Sequence, residues 1–129
     1  MPWNALALSL CLAVGLQSPL LAEEPIGDRE RGADLFRKKC FACHSLDTDR
    51  VGPRLGGVIG RAAGSLPGFS YSPALEAFDE AWTAESLDLW LAGPRTYLPG
   101  ARMPIALRDA QDRRDVIAYL SGAGADQEK

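Results

Sequence analysis

The feature that most limits how this chain can fold is the stretch 45–69, which is rich in glycine and proline. No period-two run of apolar residues survives in it, so it predicts an extended loop rather than strands. A loop of this length is unusual in a compact small domain. Something other than a helix or a strand must therefore fill the space that it encloses. Its turn residues are Gly52-Pro53, Gly56-Gly57, Gly60, Gly64 and Pro67-Gly68.

The segments on either side of this loop have the start and stop signals of helices. Asp28 caps a first helix that runs to about Cys40, and Ser72-Pro73 begins a short one. Thr83 caps a third helix that Gly93-Pro94 ends, and Asp109 opens a last helix that Gly122 stops. The pattern predicts an all-α fold whose few helices are joined by long loops.

The first 22 residues predict a secretory signal peptide. Residues 1–22 contain no charged side chain, and residues 5–16 are almost continuously apolar. A cut after Ala22 would leave residues 23–129 as one domain, which fits the length of the chain. An uncleaved membrane anchor is the alternative, because the uncharged stretch is about long enough to span a bilayer.

Charge and histidine content exclude several function classes. The chain has 14 basic and 17 acidic side chains and a formal net charge of −3, which argues against a nucleic-acid-binding protein. It has a single histidine, so no site can use two imidazoles. This excludes a histidine-based metalloprotease site and a haem held by two histidines.

The segment Cys40-Phe41-Ala42-Cys43-His44 has the C-x-x-C-H spacing of covalent c-type haem attachment. Two thiols one helical turn apart can form thioethers with the two vinyl groups of a haem, and the adjacent histidine can ligate the iron. A thioredoxin-like disulfide would need a β-α-β context, and no strand precedes Cys40. A structural zinc would need four ligands, and residues 23–129 hold no cysteine or histidine beyond these three.

The second axial ligand of the iron follows by elimination. Beyond the leader, Met103 is the only methionine, and no other histidine exists. A lone methionine can also be a core gap-filler, but Met103 lies in a loop between Pro99 and Pro104 with no helical apolar stripe around it, which favours a ligand. His/Met ligation raises the reduction potential and fills both axial positions.

With these residues in place, the chain resembles the class I cytochromes c, and specifically the mitochondrial-like soluble monohaem type of bacteria. The resemblance extends over residues 27–121. It implies an all-α fold of about three main helices, with short helices and Gly/Pro-rich loops around one covalent haem c. It also implies that the first and last helices meet at Gly32, Phe36, Val116 and Tyr119.

The resemblance implies further residues around the haem. The carbonyl of Pro53 would accept a hydrogen bond from the ligand histidine, which orients the ring. Arg61 and Tyr71 would lie by the inner propionate, and the indole N–H of Trp82 would also reach a propionate. The loop that delivers the sulfur is matched by Tyr97, Pro99, Gly100 and Met103.

The chain also departs from the family pattern. The loop 45–51 is shorter than in mitochondrial proteins. Ala101, Trp90 and Leu75 stand where the family often has a threonine, a tyrosine and an asparagine. These substitutions put the usual polar network around the haem in doubt without touching the ligands.

Positive charge is concentrated in the segments that supply the proposed ligands. Residues 37–61 have a net charge of +4 and residues 94–108 of +3, whereas residues 62–93 have a net charge of −5. In the resembling family, basic residues ring the exposed haem edge. Such a field speeds encounter with acidic partners and weakens with salt.

We therefore expect a periplasmic, monomeric electron carrier that is not an enzyme and that binds neither nucleic acid nor a small-molecule substrate. The resemblance suggests a cytochrome bc complex, a terminal oxidase, a photosynthetic reaction centre or a periplasmic dehydrogenase as donor or acceptor. Membrane contact would come only through such partners or an uncleaved leader. The alternative is a haem peroxidase or gas-binding haem protein in which Met103 is displaced.

Overall fold

The computed structural model describes residues 26–123, so the predicted signal peptide lies outside the described residues. Within this range the only β-structure is one isolated antiparallel bridge, between Ala62 and Ala81. The predicted all-α fold class is therefore confirmed. The helices are α1 (Arg29–Lys39), α2 (Pro73–Glu76), α3 (Ala84–Ala92), α4 (Pro94–Tyr97) and α5 (Ala110–Gly122).

The predicted capping residues begin four of these helices. The side chain of Asp28 accepts hydrogen bonds from two backbone N–H groups of α1, and Ser72 caps α2. Thr83 forms a capping box with Ser86 at the start of α3, and Asp109 caps α5. Each side chain satisfies backbone donors that have no partner within the helix.

The structure differs from the sequence prediction at two helix ends. The short helix α4 follows α3 directly because Pro94, with its fixed φ, stands at its first position. The last helix includes Gly122 and is capped by the backbone of Ala123. Glycine therefore does not stop α5, although the end lies within one residue of the expected position.

Helices α1 and α5 cross at close range because Gly32 has no side chain. A Cβ atom at Gly32 would lie 1.9 Å from the carbonyl oxygen of Asp115 and 2.9 Å from the Cβ of Tyr119. One turn later, the ring of Phe36 lies 5.5 Å from the ring of Tyr119. The predicted contact between the first and last helices is thus present. It fixes the position of α1 and therefore of the segment that follows it.

A fully buried carboxylate, Asp115, joins the same two helices. It accepts hydrogen bonds from the backbone N–H of Asp28 and from Gln111 Nε2, each at 2.8 Å, and it also forms an ion pair with Arg31. Burial acts to raise the pKa of Asp115. The hydrogen bonds and the Arg31 charge oppose this, so its pKa lies below the ordinary value.

Helices α3 and α5 and the long loops supply the hydrophobic core. Leu87, Trp90 and Leu91 of α3 face Val116 and Leu120 of α5. Backbone hydrogen bonds from Gly60 N to Trp82 O (2.7 Å) and from Trp82 N to Arg61 O (2.9 Å) fasten the loop 45–69 to the segment before α3. The core is therefore closed on one side by helices and on the other by irregular chain.

We predict that Asp115→Asn lowers the free energy of unfolding at pH 7 by about 2 kcal/mol, because an amide cannot satisfy the same donors. Denaturant titration of the holoprotein measures this. Since the folded pKa of Asp115 is depressed, its stabilisation is complete above the unfolded pKa and is lost as pH falls through the folded value. The difference in the free energy of unfolding between wild type and Asp115→Asn should therefore shrink below about pH 4.

Asp112→Asn is the matched control for this prediction. Asp112 also pairs with Arg31 but keeps 19% of its side chain exposed, so its neutralisation should change the free energy of unfolding by less than about 1 kcal/mol. Equal losses in the two variants, or a gap that does not vary with pH, would contradict the assigned role of Asp115.

Candidate cofactor site

A cavity of about 240 Å³ lies inside the core, between α3, α5, the loop 45–69 and the segment that follows α4. Most of its wall is apolar, and it is partly open to solvent. Among the predicted site residues, those that line it are Cys40, Cys43, His44, Pro53, Arg61, Tyr71, Trp82 and Met103.

The two cysteines enter the cavity wall as α1 ends. Cys40 is the C-cap of α1, and the chain turns tightly there, with hydrogen bonds from Cys43 N (3.1 Å) and His44 N (2.8 Å) to Cys40 O. Both cysteines are partly buried, and neither forms a disulfide in the described chain. The turn places two thiols and an imidazole on one wall of one cavity, which is the donor set that covalent attachment of a haem requires.

The same geometry does not favour the thiol-redox and zinc alternatives. Burial raises the pKa of the Cys40 thiol to about 11, although Lys39 opposes the shift. A thiol of this kind holds little thiolate at neutral pH, which disfavours thiol–disulfide exchange. Within residues 26–123, no three His, Cys, Asp or Glu side chains come together as a metal site would require.

His44 is held in one tautomer. Its Nδ1 lies 2.8 Å from the carbonyl oxygen of Pro53, which can only accept, so Nδ1–H is the donor. Burial lowers the pKa of His44, although the hydrogen bond to Pro53 acts to raise it, and the ring is neutral at pH 7. The lone pair of Nε2 is then left for a metal, with the second-shell carbonyl setting the ring orientation.

Gly52 gives the histidine ring the space that it occupies. A Cβ atom at Gly52 would lie 2.2 Å from Cε1 and 2.7 Å from Nε2 of His44. The backbone N–H of Gly52 also donates to Cys43 O at 2.8 Å. The Gly52-Pro53 pair therefore both packs against the ring and ties the loop 45–53 to the attachment turn.

Met103 reaches the cavity from the chain that follows α4. The backbone turns at Gly100, whose φ of 95° lies in the region that favours glycine. Beyond Met103, the backbone of Leu107 donates to Leu91 O at 2.7 Å, which returns the chain to α3. His44 and Met103 thus come from opposite ends of the described sequence and line the same cavity.

Three predicted residues line the cavity with polar or aromatic groups. Arg61 is half-buried and donates to the carbonyls of Arg54 (2.7 Å) and Gly56 (3.2 Å), and burial lowers its pKa. The hydroxyl of Tyr71 accepts from the backbone N–H of Leu66 at 3.2 Å, and Trp82 packs edge-on against Trp90. Their contact with haem propionates stays a prediction.

Tyr97 is not among the residues that line the cavity in the described chain. Its ring packs edge-on against Phe78, with 5.9 Å between the centroids, and lies beside a shallow surface groove. Tyr97 is the last residue of α4, and its half-buried side chain packs against the hydrophobic core. Its predicted role at the cofactor remains an expectation.

Sequence reasoning missed most of the apolar wall. Val116 and Leu120 are spaced four apart on α5, and this apolar stripe predicts that they are buried, although not that they line a cavity. Leu55, Val58 and Leu107 lie in irregular segments where no periodicity marks the buried side chains. Two of the departures from the family pattern, Leu75 and Trp90, also belong to this wall.

Comparison with known proteins relates the whole described domain to one family. Residues 29–123 match the sequence model of the Cytochrome c family. A solved structure, cytochrome cH from Methylobacterium extorquens, superposes with a TM-score of 0.70 at 37% identity and covers 74% of this chain and 98% of that one.

Two curated relatives give the same result. The cytochrome c-type cyt cy of Rhodobacter capsulatus is 45% identical over 97 residues, which are 74% of this chain and 49% of that protein. The present chain thus matches about half the length of this relative. The cytochrome c of Chlamydomonas reinhardtii is 40% identical over 108 residues, which are 81% of this chain and 96% of that protein.

We predict that Gly52→Ala lowers the free energy of unfolding of the holoprotein by about 2 kcal/mol, because its methyl group must displace the His44 ring from Pro53. The visible spectrum should change with it. Denaturant titration followed by absorbance measures both.

Gly93→Ala is the matched control, since a Cβ there meets only Thr96, at the ordinary distance of 3.5 Å, and the backbone is extended. It should change the free energy of unfolding by less than about 1 kcal/mol. If the two variants behave alike, Gly52 does not determine the position of His44.

Proposed function

The chain belongs to the cytochrome c family, and we propose that it is a periplasmic electron carrier whose haem iron is ligated by His44 and Met103. As a member of the family it carries one covalently attached haem c. The proposal rests on one observation, which is that a single apolar cavity is lined by Cys40, Cys43, His44 and Met103.

The residues of this cavity fit a haem c. Cys40 and Cys43 would hold the haem through thioethers, and His44 and Met103 would ligate the iron. An imidazole and a thioether are the ligand pair of the haem iron in cytochromes c. When bound, the haem supplies a reversible one-electron couple. With Nδ1 bonded to Pro53 and Nε2 on the iron, His44 would have no nitrogen left for acid–base work on a substrate.

The apolar wall of the cavity and the hydrogen bond from His44 to Pro53 would adjust the reduction potential of the haem. Trp82, Trp90 and Leu91 are all at least nine-tenths buried, so they keep water from the ring. A cavity of low dielectric disfavours the more highly charged oxidised state, and a thioether ligand favours Fe(II). Both effects raise the reduction potential. The Nδ1–H bond to Pro53 raises the basicity of His44 and acts in the opposite direction.

Basic side chains at the cavity point to acidic redox partners. Lys39, Arg61 and Arg102 line it, whereas the segment 62–93 has a net charge of −5. Such an arrangement orients the molecule during encounter and makes the association rate depend on salt. We propose a cytochrome bc complex, a terminal oxidase, a photosynthetic reaction centre or a periplasmic dehydrogenase as partners of this kind.

We propose export to the periplasm, directed by residues 1–22, because covalent haem attachment and an apolar leader occur in the same chain. In residues 26–123, no helix is both long and apolar enough to cross a bilayer. Fractionation of cells followed by haem staining tests the proposal. Haem staining in the cytosolic fraction would contradict it.

We predict that Met103→His lowers the reduction potential by on the order of 100 mV or more, because nitrogen stabilises Fe(III) relative to a thioether. The far-red absorption band of an Fe(III)–thioether bond should vanish with it. Potentiometric titration measures the first effect and absorbance of the oxidised protein the second.

Ile105→Val is the control, since it alters the same segment without changing a donor, and it should keep both the band and the potential. A wild-type protein without the far-red band would overturn the Met103 assignment and favour the displaced-methionine alternative.

We predict that Lys39→Glu slows oxidation of the reduced protein by ferricyanide about threefold at low ionic strength, because it removes positive charge from the mouth of the cavity. Stopped-flow kinetics at low and high salt measure this. Lys38→Glu makes the same charge change one residue away, outside the cavity lining, and should have the smaller effect. Equal rates in the two variants would show that only net charge matters.

A further inference from the structure

The segment that carries Met103 has few backbone contacts of its own. In the described chain, residues 102–106 form no backbone–backbone hydrogen bond. The nearest such anchors are Ala101 N to Leu98 O (3.0 Å) on one side and Leu107 N to Leu91 O (2.7 Å) on the other. Pro104 removes one donor and restricts the preceding residue to extended conformations. The position of Met103 therefore depends on side chains that form hydrogen bonds with this segment.

Arg95 binds the Met103 segment at the two peptide units just before Met103. Its Nε donates to the carbonyl of Ala101 at 3.3 Å, and its Nη2 donates to the carbonyl of Arg102 at 3.1 Å. Two consecutive carbonyls are thus bound by one planar guanidinium. A lysine in the same place has one compact ammonium and cannot reproduce this fork.

The base of Arg95 is fixed by the short helix α4. Pro94 is buried at the first position of that helix, and Tyr97 N donates to Gly93 O at 2.8 Å. On the far side of the segment, Arg102 Nη1 donates to Ser70 O at 3.2 Å, next to the buried Tyr71. The Met103 segment is thus held between α4 and the end of the long loop by arginine side chains.

We propose that Arg95 is a positioning residue that keeps Met103 in the cavity by binding the carbonyls of Ala101 and Arg102. This inference rests on the proposed ligation of the iron by Met103. Loss of the Arg95 contacts frees the peptide units that orient the thioether, so the segment swings out of the cavity more often. An external ligand then gains access to the iron at a higher rate.

The test is the rate at which imidazole binds to the oxidised holoprotein, followed by loss of the far-red Fe(III)–thioether band. Arg95→Lys keeps the charge but removes the fork, and we expect it to bind imidazole about three to ten times faster than wild type. Arg95→Ala should bind it faster still. Arg37→Lys is the matched control, because Arg37 is an exposed arginine of α1 paired with Asp34, and its rate should equal that of wild type.

The outcomes separate the two proposals. If the wild-type protein lacks the far-red band, the ligation by Met103 is wrong and the role of Arg95 falls with it. If the band is present and Arg95→Lys binds imidazole at the rate of Arg37→Lys, ligation stands and the Arg95 proposal is overturned. A lower melting temperature of Arg95→Lys without a faster imidazole reaction also overturns it, since that is the signature of a purely structural contact.

Discussion

The structure depends on one physical constraint, which is that its hydrophobic core surrounds a space that the chain does not fill. Most of the buried core residues are at the same time the wall of the cavity: Val58, Trp82, Leu87, Trp90, Leu91, Leu107, Val116 and Leu120. A domain of this size buries little apolar surface by itself, and a cavity removes packing contacts from every side chain that faces it. A covalently held haem restores those contacts, so cofactor binding and folding stability are two aspects of one arrangement.

The two ligand-bearing sides of the cavity are built in different ways. The His44 side is fixed by short backbone contacts, from Gly52 to Cys43 and from the His44 ring to Pro53, and by the close crossing of α1 and α5 that Gly32 permits. The Met103 side is a segment without backbone–backbone hydrogen bonds of its own, held by arginine side chains. We therefore expect local opening to begin at the Met103 side, where fewer buried contacts resist it.

The sequence was sufficient to predict the four helices that begin at a capping side chain, because capping is a local signal. Caps such as Asp28 and Thr83 act on neighbouring backbone groups, and the spacing of Cys40, Cys43 and His44 is local as well. Helix α4 was missed because Pro94 was interpreted only as the end of α3. The burial of apolar residues in the loop 45–69 could not be predicted, and neither could the hydrogen bonds from Arg95 to the carbonyls of Ala101 and Arg102. Both depend on the path of irregular backbone, which no periodic pattern in the sequence marks.

The central claim is that Met103 ligates the haem iron opposite His44. Proton–carbon NMR of the reduced holoprotein, labelled with [13C-methyl]methionine, tests it most directly, because the sequence contains only two methionines, Met1 and Met103. An axial methionine lies over the haem plane, where the ring current shifts its methyl protons far upfield. We expect one such resonance in the wild-type protein and its loss in Met103→His. A Met103 methyl resonance at an ordinary, unshifted position would contradict it.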